Sequence, residues 1–165
     1  MDPHTFFAWL EQTPFATVVR ENGVLFPWIE SVHVLAVTFV VGSISVVDLR
    51  LLGLASRARE VRSLLSEVLP FTWTAFGIAL LTGASLFASD AVEYSENPPF
   101  RLKLLLMGLA ALNMLVFHLI TSRGLRTWNA SQYPPLPARM AGAVSLLLWI
   151  SIVTCGRWIG FTTGH

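Results

Sequence analysis

Charged side chains are scarce in this sequence. Only 13% of its 165 residues are charged, whereas 54% are hydrophobic. Soluble domains usually carry about 25% charged residues, so the composition excludes a soluble globular protein. Cysteine is nearly absent as well, and the single Cys155 excludes an intrachain disulfide.

Several functional signatures are also missing. The sequence has no P-loop, no dinucleotide-binding fingerprint, no CxxCH motif and no clustered Cys/His pattern. No Ser-His-Asp set is arranged for acyl transfer, and nothing indicates nucleic-acid binding. The first residues lack the basic segment and the early apolar run of a cleavable signal peptide, so we expect the whole chain to be the mature protein.

The hydrophobic residues fall into four long blocks, at about 28–54, 68–89, 100–121 and 139–161. Each has about 20 residues or more, which at about 1.5 Å per residue crosses a hydrocarbon core of about 30 Å. A backbone in lipid must satisfy its own hydrogen bonds, so these blocks predict helices, and none alternates as membrane strands do. The predicted fold class is therefore all-α: a single transmembrane domain, 1–165, that forms an integral membrane four-helix bundle.

An additional N-terminal interfacial helix is predicted at about 3–19. Phe6 and Trp9 are interleaved there with polar residues in an amphipathic pattern, and the segment is too short to span, with Pro14 interrupting it. Contact with a neighbouring subunit is the alternative for this aromatic surface. Pro70 is expected to begin the second span in its first turn.

The basic residues are unevenly distributed between the two predicted membrane sides. Seven of the eleven lysines and arginines fall in or beside the loops after the first and third blocks, and four fall on the other side. The seven are Arg50, Arg57, Arg59, Arg62, Arg123, Arg126 and Arg139. The positive-inside rule puts these loops in the cytoplasm and both termini in the periplasm. We therefore expect a multi-pass protein of the bacterial inner (plasma) membrane.

Polar residues inside apolar spans are costly and carry most of the functional information. Near the predicted outer face, Glu30 and His33 share one helix face, and Arg157 lies at a similar depth on the fourth span. One interpretation is an interfacial salt bridge between Glu30 and Arg157. The other is a haem site, in which His33 is an axial ligand and Arg157 or Arg101 binds a propionate.

A second set of polar residues lies near the predicted inner face. One helical stripe on the third span consists of Met107, Ala111, Met114 and His118. The stripe is either a packed core face, in which methionines fill gaps, or the wall of a cofactor site with His118 as ligand. Asp48 and Arg50 lie at a similar depth, where Asp48 can orient the imidazole and Arg50 can bind a propionate.

The two histidines lie too far apart to share one iron. His33 is about five residues and His118 about 18 residues below the outer edge, which separates them by about 20 Å along the membrane normal. Two ligands of one iron lie about 4 Å apart. The sequence therefore predicts either two haem sites, one near each face, or at least one histidine that is not a ligand.

Other side chains are weaker candidates for completing a metal site. They are Met107 and Cys155 at the level of His33, Met140 at the level of His118, and His4 and His165 on the outer side. None of their spacings is diagnostic. A five-coordinate site, a His/Met site and ligation across a subunit interface are all open, and copper is the alternative metal.

Several segments resemble an uncharacterised family of small bacterial four-helix membrane proteins, over nearly the whole chain. They are Trp28-Ile-Glu30-Ser-Val-His33, Val47-Asp48-Leu49-Arg50-Leu51-Leu52-Gly53, Thr82-Gly83-Ala-Ser-Leu-Phe87, Asn97-Pro98-Pro99-Phe100-Arg101-Leu102-Lys103 and Gly156-Arg157, together with Gly42, Asn113 and His118. The layout is more distantly similar to four-helix haem b membrane cytochromes and to copper-resistance membrane proteins. That similarity implies transmembrane histidines that ligate haem, although those families offer histidine pairs at matched depth, which this sequence lacks.

The leading hypothesis is a small membrane cytochrome b that transfers single electrons between a quinol or cytoplasmic-side donor and a periplasmic redox protein. In it, Glu30 and Asp48 orient the ligands His33 and His118 of up to two haem b groups. The alternatives are a cofactor-free structural subunit of a larger complex, which predicts a Glu30–Arg157 pair, and a small copper-handling or transport protein. Because four helices shield little interior, we also expect a homo-oligomer.

Overall fold

A computed structural model describes residues 2–119, 128–129 and 133–162 of the chain. These three ranges contain helices and their connections and no strand. The helices are α1 (Pro3–Glu11), α2 (Pro14–Glu21), α3 (Leu25–Leu51), α4 (Val61–Ser89), α5 (Ala91–Glu96), α6 (Pro98–Leu119) and α7 (Leu136–Thr162). The all-α prediction is confirmed for this part of the chain.

Four of the helices, α3, α4, α6 and α7, are long and apolar enough to cross a membrane. At most 22% of the most apolar window of each is buried inside the chain. Large apolar side chains such as Phe39, Phe71 and Leu81 are at least 70% exposed. Because a helix that is apolar on all faces requires an apolar environment, these four helices are consistent with a multi-pass membrane protein.

The start of α4 differs from the prediction. The helix begins at Val61, so Pro70 lies in its interior and the prediction that Pro70 opens the second span is wrong. The first turns, up to Glu67, are polar and mostly exposed, and they already have helical geometry. Hydrophobicity marks only the apolar part of a helix, which is why the sequence pattern missed this polar beginning.

The N-terminal segment consists of two short helices rather than the single one predicted at 3–19. Pro14 has no N–H with which to continue α1, and it occupies the first turn of α2, where that N–H is not needed. The Thr13 hydroxyl oxygen accepts a hydrogen bond from the Ala16 N–H at 3.3 Å and caps α2. The interruption expected at Pro14 is therefore a helix boundary.

Both short helices pack on the same end of the molecule, against α4 and α5. Ala16 and Val19 of α2 are completely buried there. The Arg20 guanidinium donates a hydrogen bond to the Ser89 carbonyl oxygen at 3.0 Å, at the end of α4. We name this end, formed by α1, α2 and α5, the capped end.

Glu11 connects α1 to the beginning of α5. Its Oε1 accepts a hydrogen bond from the Val92 N–H at 2.7 Å. The first N–H groups of a helix have no partner within the helix, so this contact caps α5. We expect Glu11→Ala to lower the free energy of unfolding by about 1 kcal/mol, the usual effect of losing such a cap. The matched control is Glu21→Ala, because Glu21 is exposed at the end of α2. Equal thermal midpoints for the two variants in detergent would rule out a stabilising role for the Glu11 contact.

The four long helices form an incomplete ring. α3 packs against α4 on one side and α7 on the other, and α6 packs against α7. Among the described residues, α4 and α6 do not pack closely along their lengths. Near the capped end the rings of Phe87 and Phe100 stack, with centroids 5.3 Å apart. The bundle therefore has a lateral gap between α4 and α6 that aromatic side chains close at the capped end.

The opposite end, which we name the loop end, carries the connection at residues 52–60. Gly53 has a φ of 73°, a left-handed conformation that confirms it as the stop after α3. Arg50 is completely buried at this end, and its Nε donates to the Arg59 carbonyl oxygen at 2.8 Å. Asn129 binds the first N–H groups of α4 through its backbone and side-chain oxygens.

Candidate functional site

His33 lies between α3 and α4, in the half of the bundle nearer the capped end. Its Nδ1 is 3.0 Å from the Ala79 carbonyl oxygen and 3.0 Å from Thr82 Oγ1. A Cβ at Gly83 would lie 2.9 Å from His33 Cε1, so glycine at this position leaves room for the ring. Because a carbonyl can only accept a hydrogen bond, neutral His33 carries its proton on Nδ1 and keeps the lone pair of Nε2.

Lys103 of α6 is a half-buried cation in the same half of the bundle. It lies close enough to His33 of α3 and to Cys155 of α7 for its charge to affect both groups. Its side chain also lies beside Gly156 of α7, where a Cβ would be 3.7 Å from Lys103 Nζ, an ordinary contact distance. No carboxylate among the described residues forms an ion pair with this ammonium group. A cation held inside an apolar helix bundle without a counter-ion marks a candidate site for an anionic ligand group.

Sequence analysis missed Lys103 as a functional candidate. The residue stands near the beginning of α6, where basic side chains commonly extend to the membrane surface. Its burial results from the packing of α6 against α7, which brings Gly156 beside it. Gly156 and Gly160 form a GxxxG pair on α7, a pattern that favours close helix approach but does not identify what approaches.

The structure does not pair Glu30 with Arg157. Both side chains are exposed, and neither takes part in an ion pair with another described residue. The Arg157 guanidinium instead lies over the Phe161 ring, with Cζ 4.9 Å from the centroid. The predicted salt bridge is therefore wrong: no Glu30–Arg157 ion pair forms, and Arg157 contacts an aromatic ring of its own helix.

The other residues that the sequence predicted as candidates near the capped end contact only residues close to them. The Arg101 Nε donates to the Ser95 carbonyl oxygen at 2.6 Å, and Arg101 is exposed. His4 is also exposed, with its Nε2 3.9 Å from an oxygen of Glu96. His165, like the loop residues Arg123 and Arg126, lies outside the described residues.

A cavity of about 300 Å³ occupies the other half of the bundle, in the gap between α4 and α6. We name it the lateral cavity. Its walls are mainly apolar, with four aromatic side chains: Trp73, Phe76, Phe117 and Trp149. The complete predicted stripe lines it as well: Met107, Ala111, Met114 and His118. The His118 Nδ1 is 2.9 Å from the Met114 carbonyl oxygen of its own helix.

Asp48 lies in the wall of the lateral cavity and is only 4% exposed. Ser145 of α7 also lines the cavity and is the polar side chain nearest in influence to the Asp48 carboxyl group. The carboxyl oxygen Oδ2 is buried and has no hydrogen-bond partner among the described residues. A buried polar atom without a partner is costly, so Asp48 lowers the stability of this part of the bundle.

Asn113 supplies a second polar group in the same wall. Its Nδ2 donates to the Ala141 carbonyl oxygen of α7 at 3.0 Å. Its Oδ1 accepts no hydrogen bond from a described residue. Asn113 Oδ1 is thus an acceptor atom in the wall of the lateral cavity that the described residues leave without a donor.

The other predicted ligands are distributed between these two places and the surface. Met107 lies in the lateral cavity rather than beside His33, and Met140 is 58% exposed. Cys155 is half-buried and interacts with Lys103. No three His, Cys, Asp or Glu residues in the described ranges lie together in a way that could hold a metal ion.

The chain matches one protein family over residues 6–162, and that family is described as the Family of unknown function (DUF6644). Since the match covers nearly the whole chain, the protein belongs to this family. No curated protein and no solved structure matches the chain, so a similarity to cytochromes or copper-resistance proteins is not shown.

Proposed function

We propose that this member of the DUF6644 family is an integral membrane electron-transfer protein that binds one haem b through His33. The supporting observation is the state of the His33 ring, whose Nδ1 is bound to the Ala79 carbonyl oxygen while Nε2 keeps its lone pair. Histidines that ligate metals typically donate their other N–H to a carbonyl or carboxylate, which fixes the ring and its tautomer.

Lys103 supports the same site. A haem b carries two propionates, and these anions need cationic partners when they are held away from water. Lys103 interacts electrostatically with His33 and lacks a carboxylate partner among the described residues. In the proposal it takes the role that the sequence suggested for Arg101 and Arg157, both of which are exposed.

When bound, the haem supplies one-electron chemistry at a potential that depends on the axial ligand and on burial. The chain contributes the oriented imidazole, the cation and an apolar environment that excludes water. In each chain His33 would ligate the haem, and a neighbouring subunit of a homo-oligomer would supply any second ligand. The arginine-rich loop end then faces the cytoplasm of a bacterial cell, and the capped end and both termini face the periplasm.

The proposal omits the second haem that the sequence suggested at His118. The lateral cavity, at about 300 Å³, equals the smallest of the usual ligand pockets, which range from about 300 to 1,000 Å³. A porphyrin is several times larger than a single aromatic ring and exceeds this space. The His118 Nδ1 is likewise 2.9 Å from a backbone carbonyl oxygen, that of Met114, so the ring state alone does not distinguish the two histidines. The choice of His33 also depends on the nearby Lys103 cation, and His118 enters the proposal as a residue of the cavity wall.

The experiment is a comparison of haem content among wild type, His33→Gln and His118→Gln, each purified from membranes of haem-supplemented cells. Glutamine retains a donor for the Ala79 carbonyl oxygen but does not ligate haem iron, so His33→Gln is expected to fold and to lose its haem. His118→Gln is expected to keep it. Retention of haem by His33→Gln, or loss in His118→Gln alone, would contradict the assignment.

A cofactor-free structural subunit is the second candidate function. It is favoured by the interhelical contacts of His33, since hydrogen bonds to Ala79 and Thr82 are also what a purely structural histidine would make. It predicts wild-type protein without stoichiometric haem and unimpaired assembly of His33→Gln. Copper handling has weaker support, because the described residues contain no group that could hold a bare metal ion.

A further inference from the structure

We propose that a surface groove between α6 and α7 at the capped end binds one anionic phospholipid, with an acyl chain in the groove and the headgroup phosphate on Arg157. This inference goes beyond the haem site and does not depend on it, because neither His33 nor Lys103 lines the groove. It rests on three observations: an apolar groove, a guanidinium without an acidic partner, and the contacts between aromatic rings that connect the two.

The groove lies where the first turns of α6 approach the last turns of α7, and its volume is about 300 Å³. We name it the α6–α7 groove. Its walls are formed by Pro98, Pro99 and Leu102 of α6 and by Thr154, Cys155 and Trp158 of α7.

The lining of the α6–α7 groove suits a hydrocarbon chain. Leu102 and Trp158 are exposed large apolar side chains. The Thr154 hydroxyl donates to the Ile150 carbonyl oxygen of its own helix at 2.8 Å, so its proton is not available to a ligand. In a bilayer the groove opens to lipid, and an acyl chain lying in it gains dispersion contacts along both walls.

Arg157 places a positive charge at one end of this groove. Its guanidinium lies over the Phe161 ring, with Cζ 4.9 Å from the centroid. The Phe161 ring also meets the Trp158 ring, with centroids 6.5 Å apart, and Trp158 lines the groove. Since α7 ends at Thr162, this series of contacts places the guanidinium at the end of the groove nearer the end of the helix.

The Arg157 guanidinium is available to an anion. It forms no ion pair with a carboxylate of the described residues. Its contact with Phe161 uses the face of the guanidinium and leaves the N–H groups, which lie in its plane, for other acceptors. This planar set of donors matches two oxygens of a phosphate. Arginine and tryptophan near a helix end are also typical of the membrane interface, where lipid phosphates lie.

The lone cation selects the class of lipid. A phosphatidylglycerol headgroup keeps a net negative charge, which Arg157 attracts. A phosphatidylcholine headgroup has the same phosphate, but the adjoining quaternary ammonium group offsets its charge. We therefore expect the site to prefer an anionic phospholipid over a zwitterionic one with identical acyl chains.

The test is native mass spectrometry of the purified protein, titrated with phosphatidylglycerol or with phosphatidylcholine of the same chains. The wild type is expected to bind one phosphatidylglycerol about five- to tenfold more tightly than phosphatidylcholine. Arg157→Gln should bind both lipids equally, and Arg157→Lys should keep part of the preference. Arg139→Gln is the matched control, because Arg139 is exposed at the opposite end of α7. Equal affinities in the wild type, or the same loss in Arg139→Gln, would overturn the proposal.

Thr154→Trp tests the groove separately from the charge. Thr154 is exposed, so a larger side chain there is expected to be tolerated and to fill the groove. The variant should bind phosphatidylglycerol about tenfold more weakly although Arg157 is unchanged. Val153→Trp is the control, because Val153 is exposed beside Thr154 and does not line the groove.

Two outcomes of this comparison would contradict the assignment. Undiminished binding of phosphatidylglycerol by Thr154→Trp would show that no acyl chain occupies the α6–α7 groove. A wild-type dimer that retains no lipid and dissociates in Thr154→Trp, but not in Val153→Trp, would assign the groove to a second copy of the chain.

Discussion

Replacing Lys103 by methionine is expected to weaken haem binding about ten- to a hundredfold. The substitution keeps an unbranched apolar stem of similar length and removes the terminal ammonium group with its charge. A hydrogen bond to a charged group contributes about 1.5–3 kcal/mol, and the lost contact to a propionate accounts for the predicted change. The measurement is a haem titration of the purified apo-protein, followed by its absorbance spectrum.

The same variant separates the two candidate functions by the sign of its effect on stability. Without a haem, Lys103 is a half-buried cation with no ion-pair partner among the described residues. A lysine costs about 2.5–3.5 kcal/mol at the centre of a membrane helix and less near a helix end, where Lys103 lies. A cofactor-free subunit should therefore become more stable with methionine. The haem protein should become less stable in its loaded form. Lys103→Arg is the control, because it keeps the charge and is expected to retain haem.

Gly83→Ala is expected to displace the His33 ring, with a loss of about 1–3 kcal/mol in the free energy of unfolding. The new Cβ would lie 2.9 Å from Cε1 and 3.4 Å from Nδ1 of His33, so the ring must move away from Ala79 and Thr82. A displaced imidazole no longer presents Nε2 in a fixed direction. We therefore expect the haem content of this variant to fall with its stability.

The control for this substitution lies on the same helix. A Cβ at Gly77 meets nothing within 4 Å, so Gly77→Ala removes a glycine from α4 without a collision. It is expected to leave haem content unchanged and to raise stability by up to about 1 kcal/mol through helix propensity. Thermal unfolding in detergent and haem absorbance measure both quantities. Haem content in Gly83→Ala equal to that in Gly77→Ala would show that the His33 ring position is not required.

The number and approximate extent of the long helices could be predicted from the sequence, because lipid-compatible segments are long and continuous. The predicted block at 28–54 corresponds to α3, and the stop at Gly53 follows from a conformation that glycine adopts easily. The beginning of α4 could not be predicted in the same way. Its polar first turns extend beyond the apolar block, and only their packing at the loop end identifies them as part of one helix with Pro70.

The residues of the candidate sites could be predicted only in part from the sequence. His33, Asp48 and His118 stand out in the sequence as polar residues in apolar runs. The helical stripe that ends at His118 lines the lateral cavity, which agrees with its interpretation as the wall of a binding site. Lys103 and Ser145 acquire their significance only when α6, α7 and α3 pack together. Helix neighbours are not encoded in local periodicity, so these partners required the structure.

The same limit explains the wrong pairing of Glu30 with Arg157. Equal depth along the membrane normal is a necessary condition for a salt bridge, and the sequence supplied that condition. The direction of each side chain around its helix axis also matters, and it depends on which helices are adjacent. Arg157 lies over Phe161 on its own helix, and Glu30 makes no ion pair with it.

The most direct test of the account is a reduced-minus-oxidised absorbance spectrum of the wild-type protein, purified from membranes of cells supplied with haem precursors. The account predicts the α-band of a b-type haem at about one haem per chain, and its loss in His33→Gln. A wild-type protein that is folded, helical and free of any haem band under these conditions would contradict the assignment of His33 and Lys103 to a haem site.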